Sequence, residues 1–339
     1  MKDRVLIICP QASSTFVQQD ALILGEQFDV DMLSLQPLRS PKTLWTFIAL
    51  AARLRKNKIR AMLLWFSVPH LTPVIVLLGK IFGTKIAAIT GGFDVAYVPL
   101  IKWEEMGSGW KRTLQRFSLH RVDYVLPFSE FSRKDTLRYA PAERTKTLYP
   151  GVDCKRFFPS GAKSDLAVTT CNVINQFTII QKGLSVFAQC ASSLPEYQFL
   201  IIGQVDKTDL AAKKFLESAP PNLTFTERYV SDEQLLSLYR AAKVYVQASA
   251  HEGFGIACAE AMACECVAVG TIGTSLPEVI GDAGFLVPYN DIPATIDAIK
   301  AAMANTTIGA FARKRIMQNF SPEARALGLL AVMNQIIEN

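Results

Sequence analysis

The chain has 339 residues, half of them apolar and only 19% charged, and its formal net charge is +6. This composition excludes a disordered or low-complexity protein. The charge is unevenly divided, because residues 1–160 hold 23 basic and 13 acidic side chains whereas residues 161–339 hold 13 basic and 17 acidic ones. The length and the change of charge near the middle together favour two domains.

Short apolar runs alternate with helical patterns along the whole chain. In the first half, strands are predicted at residues 5–9, 30–33, 62–66, 85–90 and 124–128, and helices at 16–26 and 44–55, with further helical stretches between the later strands. The pattern restarts after residue 160, with strands at 167–173, 199–202, 223–225, 244–247, 267–269 and 284–287, and helices at 183–192, 232–242, 258–263 and 292–303. Continuous apolar runs are typical of strands buried on both faces, so the sheets are expected to be parallel.

The two halves of this pattern meet at residues 149–164, where Pro and Gly cluster. We therefore predict an α/β protein with two Rossmann-like, doubly wound parallel-sheet domains, covering residues 1–155 and 156–322. A last helix at 323–339 is expected to pack back toward the N-terminal domain. An interdomain cleft would be the natural ligand site, because helix N-termini and the carboxyl ends of strands converge there.

One uncharged stretch, residues 61–79, approaches the length of a membrane span. Two prolines and a histidine interrupt it. We therefore predict a buried strand at 61–66, a loop containing His70, and a buried helix from about Pro73.

The seven cysteines are scattered and form no C-x-x-C pair. This spacing is a poor match to a zinc site or a disulfide framework and indicates small buried thiols in a reducing cytosol.

The segment of residues 248–270 contains the clearest candidate site. A predicted strand ends near Ala248, a loop with Glu252-Gly253-Phe254-Gly255 follows, and a helix begins near Ile256. Unpaired amides at a helix start bind anions, and Glu260 one turn later can reach back toward the same ligand. Two carboxylates beside an anion-binding turn suit a ligand with phosphates and hydroxyls. An ordinary glycine-assisted turn, with glutamates that only favour the helix dipole, also fits.

Glu252 and Glu260 match the E-x7-E motif, so this segment resembles the retaining glycosyltransferases of the GT-B fold, specifically glycosyltransferase family 4. Further segments resemble motifs of that family in the same order along the chain: Tyr149–Asp153, Gln181–Leu184, Phe199–Gly203, Tyr229–Glu233, Leu276–Val279 and Gly284–Val287. The resemblance covers roughly residues 149–290 and is weaker in the N-terminal half, where an acceptor would be chosen.

The resemblance implies a GT-B fold and transfer of a sugar from a nucleotide-sugar donor to a glycan or lipid-linked acceptor, as in cell-surface glycan or glycolipid synthesis. It implies that Glu260 binds the nucleotide ribose and that Glu252 holds the donor sugar. Lys182 would neutralise the diphosphate leaving group. The other donor-binding positions that it implies are Gly253, Phe254 and Gly255 on the loop before the helix, the loop residues Tyr229 and Val230 beside the nucleobase, and Gly203.

One position departs from the family pattern. The Arg that usually precedes Lys182 by about five residues is replaced by Phe177. Either another basic group substitutes, or Lys182 and the helix amides stabilise the leaving group alone. The alternative is a non-catalytic nucleotide-sugar-binding or partner subunit with the same fold. No DxD-like acidic pair appears where Mg²⁺ would be held, and the resemblance implies a family that generally needs no metal, so neither a metal nor another cofactor is expected.

The N-terminal half offers weaker candidates for sugar or acceptor contacts. Gly92 and Asp94 follow the predicted strand at 85–90, but Asp94 fits a turn cap equally well. Ser14 follows the first strand, and His70 follows the strand that ends at residue 66, where a structural histidine is the other possibility.

The basic stretch at residues 53–60 follows an apolar helix that contains Trp45. It is either a solvated helix end or a docking site for anionic lipid, which would place a cytoplasmic protein on the inner face of a membrane. Nucleic acid is not an expected partner, because no recognisable binding motif accompanies the basic residues.

Overall fold

A computed structural model describes residues 2–12, 14–35, 42–101, 106–305 and 307–338. The chain divides into two compact units. Unit 1 comprises Met1–Pro150 and Pro322–Asn339, and unit 2 comprises Gly151–Ser321. The division thus lies at Pro150, whereas the sequence pattern placed it at residue 155.

Unit 1 has a parallel sheet with the strand order β2-β1-β3-β4-β5. The strands are β1 (Arg4–Cys9), β2 (Asp29–Ser34), β3 (Ile59–Trp65), β4 (Lys85–Thr90) and β5 (Tyr124–Pro127). The helices between and after them are α1 (Thr15–Gly25), α2 (Lys42–Asn57), α3 (Thr72–Ile81), α4 (Gly109–Leu119) and α5 (Glu130–Thr136). This order reverses between β1 and β3, which makes the carboxyl ends of those strands the switch point of a doubly wound sheet.

Unit 2 has a parallel sheet with the order β11-β10-β9-β6-β7-β8. Its strands are β6 (Ser164–Ile174), β7 (Gln198–Val205), β8 (Leu223–Glu227), β9 (Ala242–Gln247), β10 (Val267–Thr271) and β11 (Gly284–Val287). Its helices are α6 (Gln176–Gln181), α7 (Leu184–Ser193), α8 (Leu210–Glu217), α9 (Asp232–Ala241), α10 (Ile256–Ala263), α11 (Leu276–Ile280), α12 (Ile292–Ala304) and α13 (Ile308–Asn319). This is the Rossmann strand order, with its switch point between β6 and β9. The predicted parallel sheets are confirmed in both units.

The core of unit 1 lies on both faces of its sheet, as the continuous apolar runs predicted. Successive side chains of a strand point to opposite faces. In β1, Val5 and Ile7 pack with the apolar side of α1, whereas Leu6 and Ile8 pack with α2 and α3. Helices therefore cover both faces, which is the layering that a doubly wound fold requires.

The segment at residues 61–79 is confirmed as part of this core. Its first residues lie in the buried strand β3, and the rest leads into α3, which begins at Thr72. Among the described residues, no helix has both the length and the apolar character needed to cross a bilayer.

All seven cysteines are free thiols, and only Cys154 among them is not buried. Burial raises the pKa of both Cys171 and Cys266 to about 11, so these thiols stay protonated at neutral pH. The predicted role of the cysteines as small packing residues is confirmed.

The last helix, α14 (Pro322–Glu338), belongs to unit 1 and contacts α1, β3 and β4. Its buried residues Leu329, Val332, Met333 and Ile336 join the same core as Val5. Burying each such side chain stabilises the fold by about 1.5–3 kcal/mol.

A buried ion pair fixes the start of α14. The guanidinium of Arg325 donates through Nε and Nη2 to the two carboxylate oxygens of Asp20 on α1, at 2.7 Å each. Its Nη1 donates to the backbone oxygen of Tyr149 at 3.1 Å, and the ring of Trp65 lies 5.7 Å away. Both charged side chains are almost fully buried, so each depends on the other for compensation.

Arg325→Met should lower the free energy of unfolding by about 3–5 kcal/mol, because it leaves the Asp20 carboxylate buried without a counter-charge. Urea denaturation measures the loss. The matched control is Arg4→Met, which removes an exposed Arg–Asp pair from the same unit and should cost about 1 kcal/mol or less. Equal losses in the two variants would contradict the proposed importance of the buried pair.

Candidate active site

Two loops meet at the switch point of unit 2. One is the turn after α6, which follows β6, and the other follows β9. Gly183 has a left-handed backbone (φ +64°), and a Cβ atom there would lie 2.1 Å from the backbone oxygen of Ala248. The amide of Ala250 donates to the backbone oxygen of Gln181 at 2.8 Å. Only glycine permits so close an approach, and this contact places Lys182 beside the β9 loop.

Lys182 and Glu252 form an ion pair where these loops meet. The Lys182 Nζ donates to Glu252 Oε1 at 2.6 Å, and the Ser249 hydroxyl donates to the same oxygen at 2.8 Å. Burial acts to raise the pKa of Glu252, but the ammonium of Lys182 and hydrogen bonds from Ser249 and Gln247 outweigh it. The pKa of Glu252 is therefore below its ordinary value, and the carboxylate is ionised at neutral pH.

The β9 loop leads directly into α10. Gly255 is its N-cap with a positive φ of +92°, and a Cβ atom there would lie 2.6 Å from Leu276 Cδ2. Because Gly255 has no side chain to cap the helix, the first amides of α10 remain available to an external acceptor. The half-buried Gly253 lies two residues earlier. The buried ring of Phe254 packs edge to face on Phe320 with centroids 5.2 Å apart, so the side chain anchors the loop.

Glu260 lies one turn into α10 and has an unusual protonation state. It is half-buried, and burial raises its pKa to about 8 although the charge of Arg156 opposes this shift and that of Asp232 adds to it. Arg156 itself is held by Asp232 in an ion pair of 2.6 Å. Glu260 is therefore mostly protonated at neutral pH.

Three further donor-binding candidates lie at the carboxyl ends of β7 and β8. Tyr229 is 77% exposed in the loop after β8 and is followed by the half-buried Val230. Gly203 lies within β7, where its amide donates to the hydroxyl of Thr226 at 2.9 Å. A Cβ atom on Gly203 would lie 2.5 Å from the backbone oxygen of Cys171, so close packing of β7 on β6 requires glycine here.

Asp94 in unit 1 binds backbone amides. Its Oδ1 accepts from Gly91 and Gly92 at 2.9 and 3.1 Å, and its Oδ2 accepts from Ser67 at 3.0 Å. Burial raises the pKa of Asp94 to about 6 in spite of these three donors. Through these contacts the Asp94 carboxylate joins the loops that follow β3 and β4. Acceptor binding by Gly92 and Asp94 stays a prediction.

Ser14 and His70 follow the two strands that flank the switch point of unit 1. Ser14 is the N-cap of α1, but its side chain makes no capping hydrogen bond. His70 is half-buried in the loop between β3 and α3. Their place in the sheet suits ligand contact, and their role stays a prediction.

Sequence reasoning missed three residues that act on the two glutamates: Gln247, Ser249 and Arg156. Gln247 and Ser249 precede Glu252 on the same strand and loop, so their proximity to it was the available signal. Arg156 is distant in sequence from Glu260 and carried no such signal. Its charge acts on Glu260, whereas the Phe177 position carries no charge.

The fold agrees with comparisons to known proteins. Sucrose-phosphate synthase from Thermosynechococcus elongatus superposes with a TM-score of 0.79 at 17% identity, covering 99% of this chain and all of that one (100%). Anabaena HepE, in a complex with UDP and glucose, superposes with a TM-score of 0.76 at 14% identity over 98% of this chain and 100% of its own. These likenesses show that the fold is GT-B.

Residues 171–305 match the family model of glycosyl transferases group 1. O-antigen chain mannosyltransferase B of Escherichia coli is 50% identical over 66 residues, which are 20% of this chain and 17% of that protein. Two other curated relatives match this chain over 67% and 42% of their own lengths. The matched region contains Lys182, Glu252 and Glu260.

Glu260→Gln should flatten the pH dependence of stability. Because the folded chain holds the Glu260 proton up to about pH 8, against an ordinary pKa of 4.5, its contribution to stability is complete below the ordinary value and is lost as the pH rises through about 8. Urea denaturation across this interval measures the slope. Exposed Glu233→Gln on α9 is the control and should keep the wild-type slope. An unchanged slope in Glu260→Gln would refute the raised pKa.

Proposed function

We propose that the chain is a retaining glycosyltransferase that moves a sugar from a nucleotide-diphosphate sugar, held by unit 2, to a glycan or lipid-linked acceptor. The observation that carries this proposal is the Lys182–Glu252 pair at the switch point, on the loop that leads into the uncapped N-terminus of α10. That edge of a doubly wound sheet is where ligands of such folds bind.

In the proposed reaction, departure of the nucleoside diphosphate places negative charge on phosphate oxygens. The Lys182 ammonium has three donors, so it can hold a phosphate oxygen while it still contacts Glu252. Together with the first amides of α10 it stabilises the charge that develops in the transition state, and such preorganised groups supply a large share of catalysis. Glu252, ionised and fixed by Ser249, accepts hydroxyls of the donor sugar.

The remaining contacts orient the nucleotide. Glu260 accepts the ribose hydroxyls, Tyr229 and Val230 lie against the nucleobase, and Gly253, Gly255 and Gly203 allow the backbone to approach the ligand. UDP in the HepE structure supports a nucleotide-sugar donor for this chain. Because Lys182 and the amides supply the positive charge, we propose that the reaction proceeds without a metal.

The acceptor is assigned to unit 1, and an anionic membrane surface is proposed as its second partner. On α2, the exposed face carries Leu44, Trp45 and Ile48 toward the start of the helix, and Arg55 and Lys56 at its end. An apolar face followed by basic residues is the pattern that binds at the interface of anionic lipid. This would keep the protein at the cytoplasmic face of a membrane.

Turnover tests the assignment of Lys182. Release of nucleoside diphosphate from a panel of nucleotide sugars, in buffer with EDTA and with a panel of glycan and lipid-linked acceptors, gives kcat for each variant. Lys182→Ala should lower kcat by at least about tenfold because it removes a charge that acts on the leaving group. Glu252→Ala should also lose turnover.

The control for this experiment is Lys243→Ala, which removes the ion pair with Asp165 at the opposite end of β9. It should keep wild-type kcat. Near-normal turnover of Lys182→Ala would overturn the proposed role. Tight donor binding by the wild type without any turnover would identify a non-catalytic nucleotide-sugar-binding subunit. The presence of Phe177 in place of the usual Arg motivates this alternative.

Vesicle binding tests the membrane partner. Replacing Arg55, Lys56 and Lys58 by Gln should weaken binding to anionic vesicles by roughly a hundredfold or more, since each basic residue near such a surface contributes about 1 kcal/mol. Co-sedimentation at low and high salt measures the effect. The charge-matched control replaces Lys207, Lys213 and Lys214 of unit 2 by Gln. Equal binding by both variants would show that the basic end of α2 is only a solvated surface.

A further inference from the structure

Unit 1 contains an open cavity of about 660 Å³ whose lining includes neither Ser14 nor His70. It is formed by α4, by the segment that follows α5 and by the loop that follows β4. The residues that line it are Tyr97, Met106, Gly109, Arg112, Thr113, Arg116, Arg138 and Tyr139. Its size is that of a small-molecule site.

Three guanidinium groups, those of Arg112, Arg116 and Arg138, line this cavity. Arg112 Nη1 donates to the backbone oxygens of Met106 and Gly107 at 3.2 Å each, and Arg116 Nη2 donates to the backbone oxygen of Arg138 at 3.1 Å. Carbonyl groups orient these side chains but do not neutralise them. The one carboxylate that pairs with the three arginines among the described residues is that of Asp135, 3.5 Å from Arg138.

The arrangement is costly for the free protein. Arg112 and Arg116 are four residues apart on α4, and like charges at that spacing repel each other across one turn. The eleven residues Gly109–Leu119 of α4 include no acidic side chain that could relieve the repulsion. A ligand with negative charge would remove this cost.

The start of α4 adds to the positive potential. Gly109 lines the cavity as the first residue of the helix, and the preceding Ser108 makes no side-chain capping hydrogen bond. The first amides of the helix are therefore open to an acceptor at the same place as the guanidinium groups. The hydroxyl of Thr113 and the half-exposed ring of Tyr97 border the same space.

We propose that this cavity binds a phosphate group, carried by either a soluble phosphate ester or a lipid headgroup. Guanidinium groups match phosphate oxygens in forked, charge-assisted pairs, and helix amides complete the coordination. The remaining volume accommodates the group that the phosphate is attached to. The site does not depend on the proposed transfer reaction, because it is defined by binding alone.

Calorimetric titration of the full chain with inorganic pyrophosphate tests the site. Arg112→Gln/Arg116→Gln should weaken the component bound in unit 1 by at least about tenfold, because two charge-assisted contacts are lost. The charge-matched control is Lys111→Gln/Arg121→Gln, which changes one residue of α4 and one just after it, neither of which lines the cavity, and it should bind as the wild type does. Pyrophosphate held by unit 2 remains as a common component in all variants.

A second variant guards against loss of folding. Arg112→Lys keeps the charge and removes only the fork, so it should fold normally and weaken binding by several fold. Identical titrations of the wild type and the Arg112→Gln/Arg116→Gln variant would overturn the proposal. Equal weakening in the charge-matched control would also overturn it, because the effect would then come from the overall positive charge of this region and not from contacts in the cavity.

Vesicles distinguish the two sources of phosphate. The same variants are compared on neutral vesicles with and without phosphatidic acid. A larger loss of binding in Arg112→Gln/Arg116→Gln than in the control would identify a lipid headgroup, and loss of pyrophosphate binding with unchanged vesicle binding would identify a soluble ester.

Discussion

The ion pair between Lys182 and Glu252 is the contact on which the organisation of unit 2 depends. It joins the loops after β6 and β9, the two strands between which the order of the sheet reverses. The buried Glu252 would lack compensation for its charge without Lys182. Gly183 lets the backbones approach, and the pair then fixes the carboxylate on the loop that leads into α10. One interaction therefore serves packing and the arrangement of the candidate site together.

Much of the fold was predictable because its strands are buried on both faces. Runs such as those in β1 and β4 are apolar without interruption, and a parallel sheet covered by helices produces that pattern. The position of α14 was less certain. Its amphipathic pattern predicts a helix, but the partner that fixes it, Asp20, lies about 300 residues earlier in the sequence, and no local pattern encodes such a pairing.

The candidate site was predictable in its motif and less so in its electrostatics. The spacing of Glu252 and Glu260 is visible in the sequence. The two carboxyl groups differ in protonation, however, and the sequence does not show why. Glu252 is ionised because Lys182 pairs with it, whereas Glu260 is half-buried and has no ion pair or hydrogen bond of its side chain with any residue that the structure describes. These environments arise from packing between distant segments, and spacing alone does not report them.

The division of unit 1 has a consequence for synthesis of the chain. Its core includes α14, so residues 2–150 cannot bury the apolar face of β1 and β3 completely until residue 338 has been made. Unit 2 is continuous, and its segment is finished before α14 leaves the ribosome. Domains of a nascent chain usually fold from the N-terminus onward, but here the second unit can reach its native state while the first is still incomplete. The part of the chain that is synthesised first therefore completes its core last.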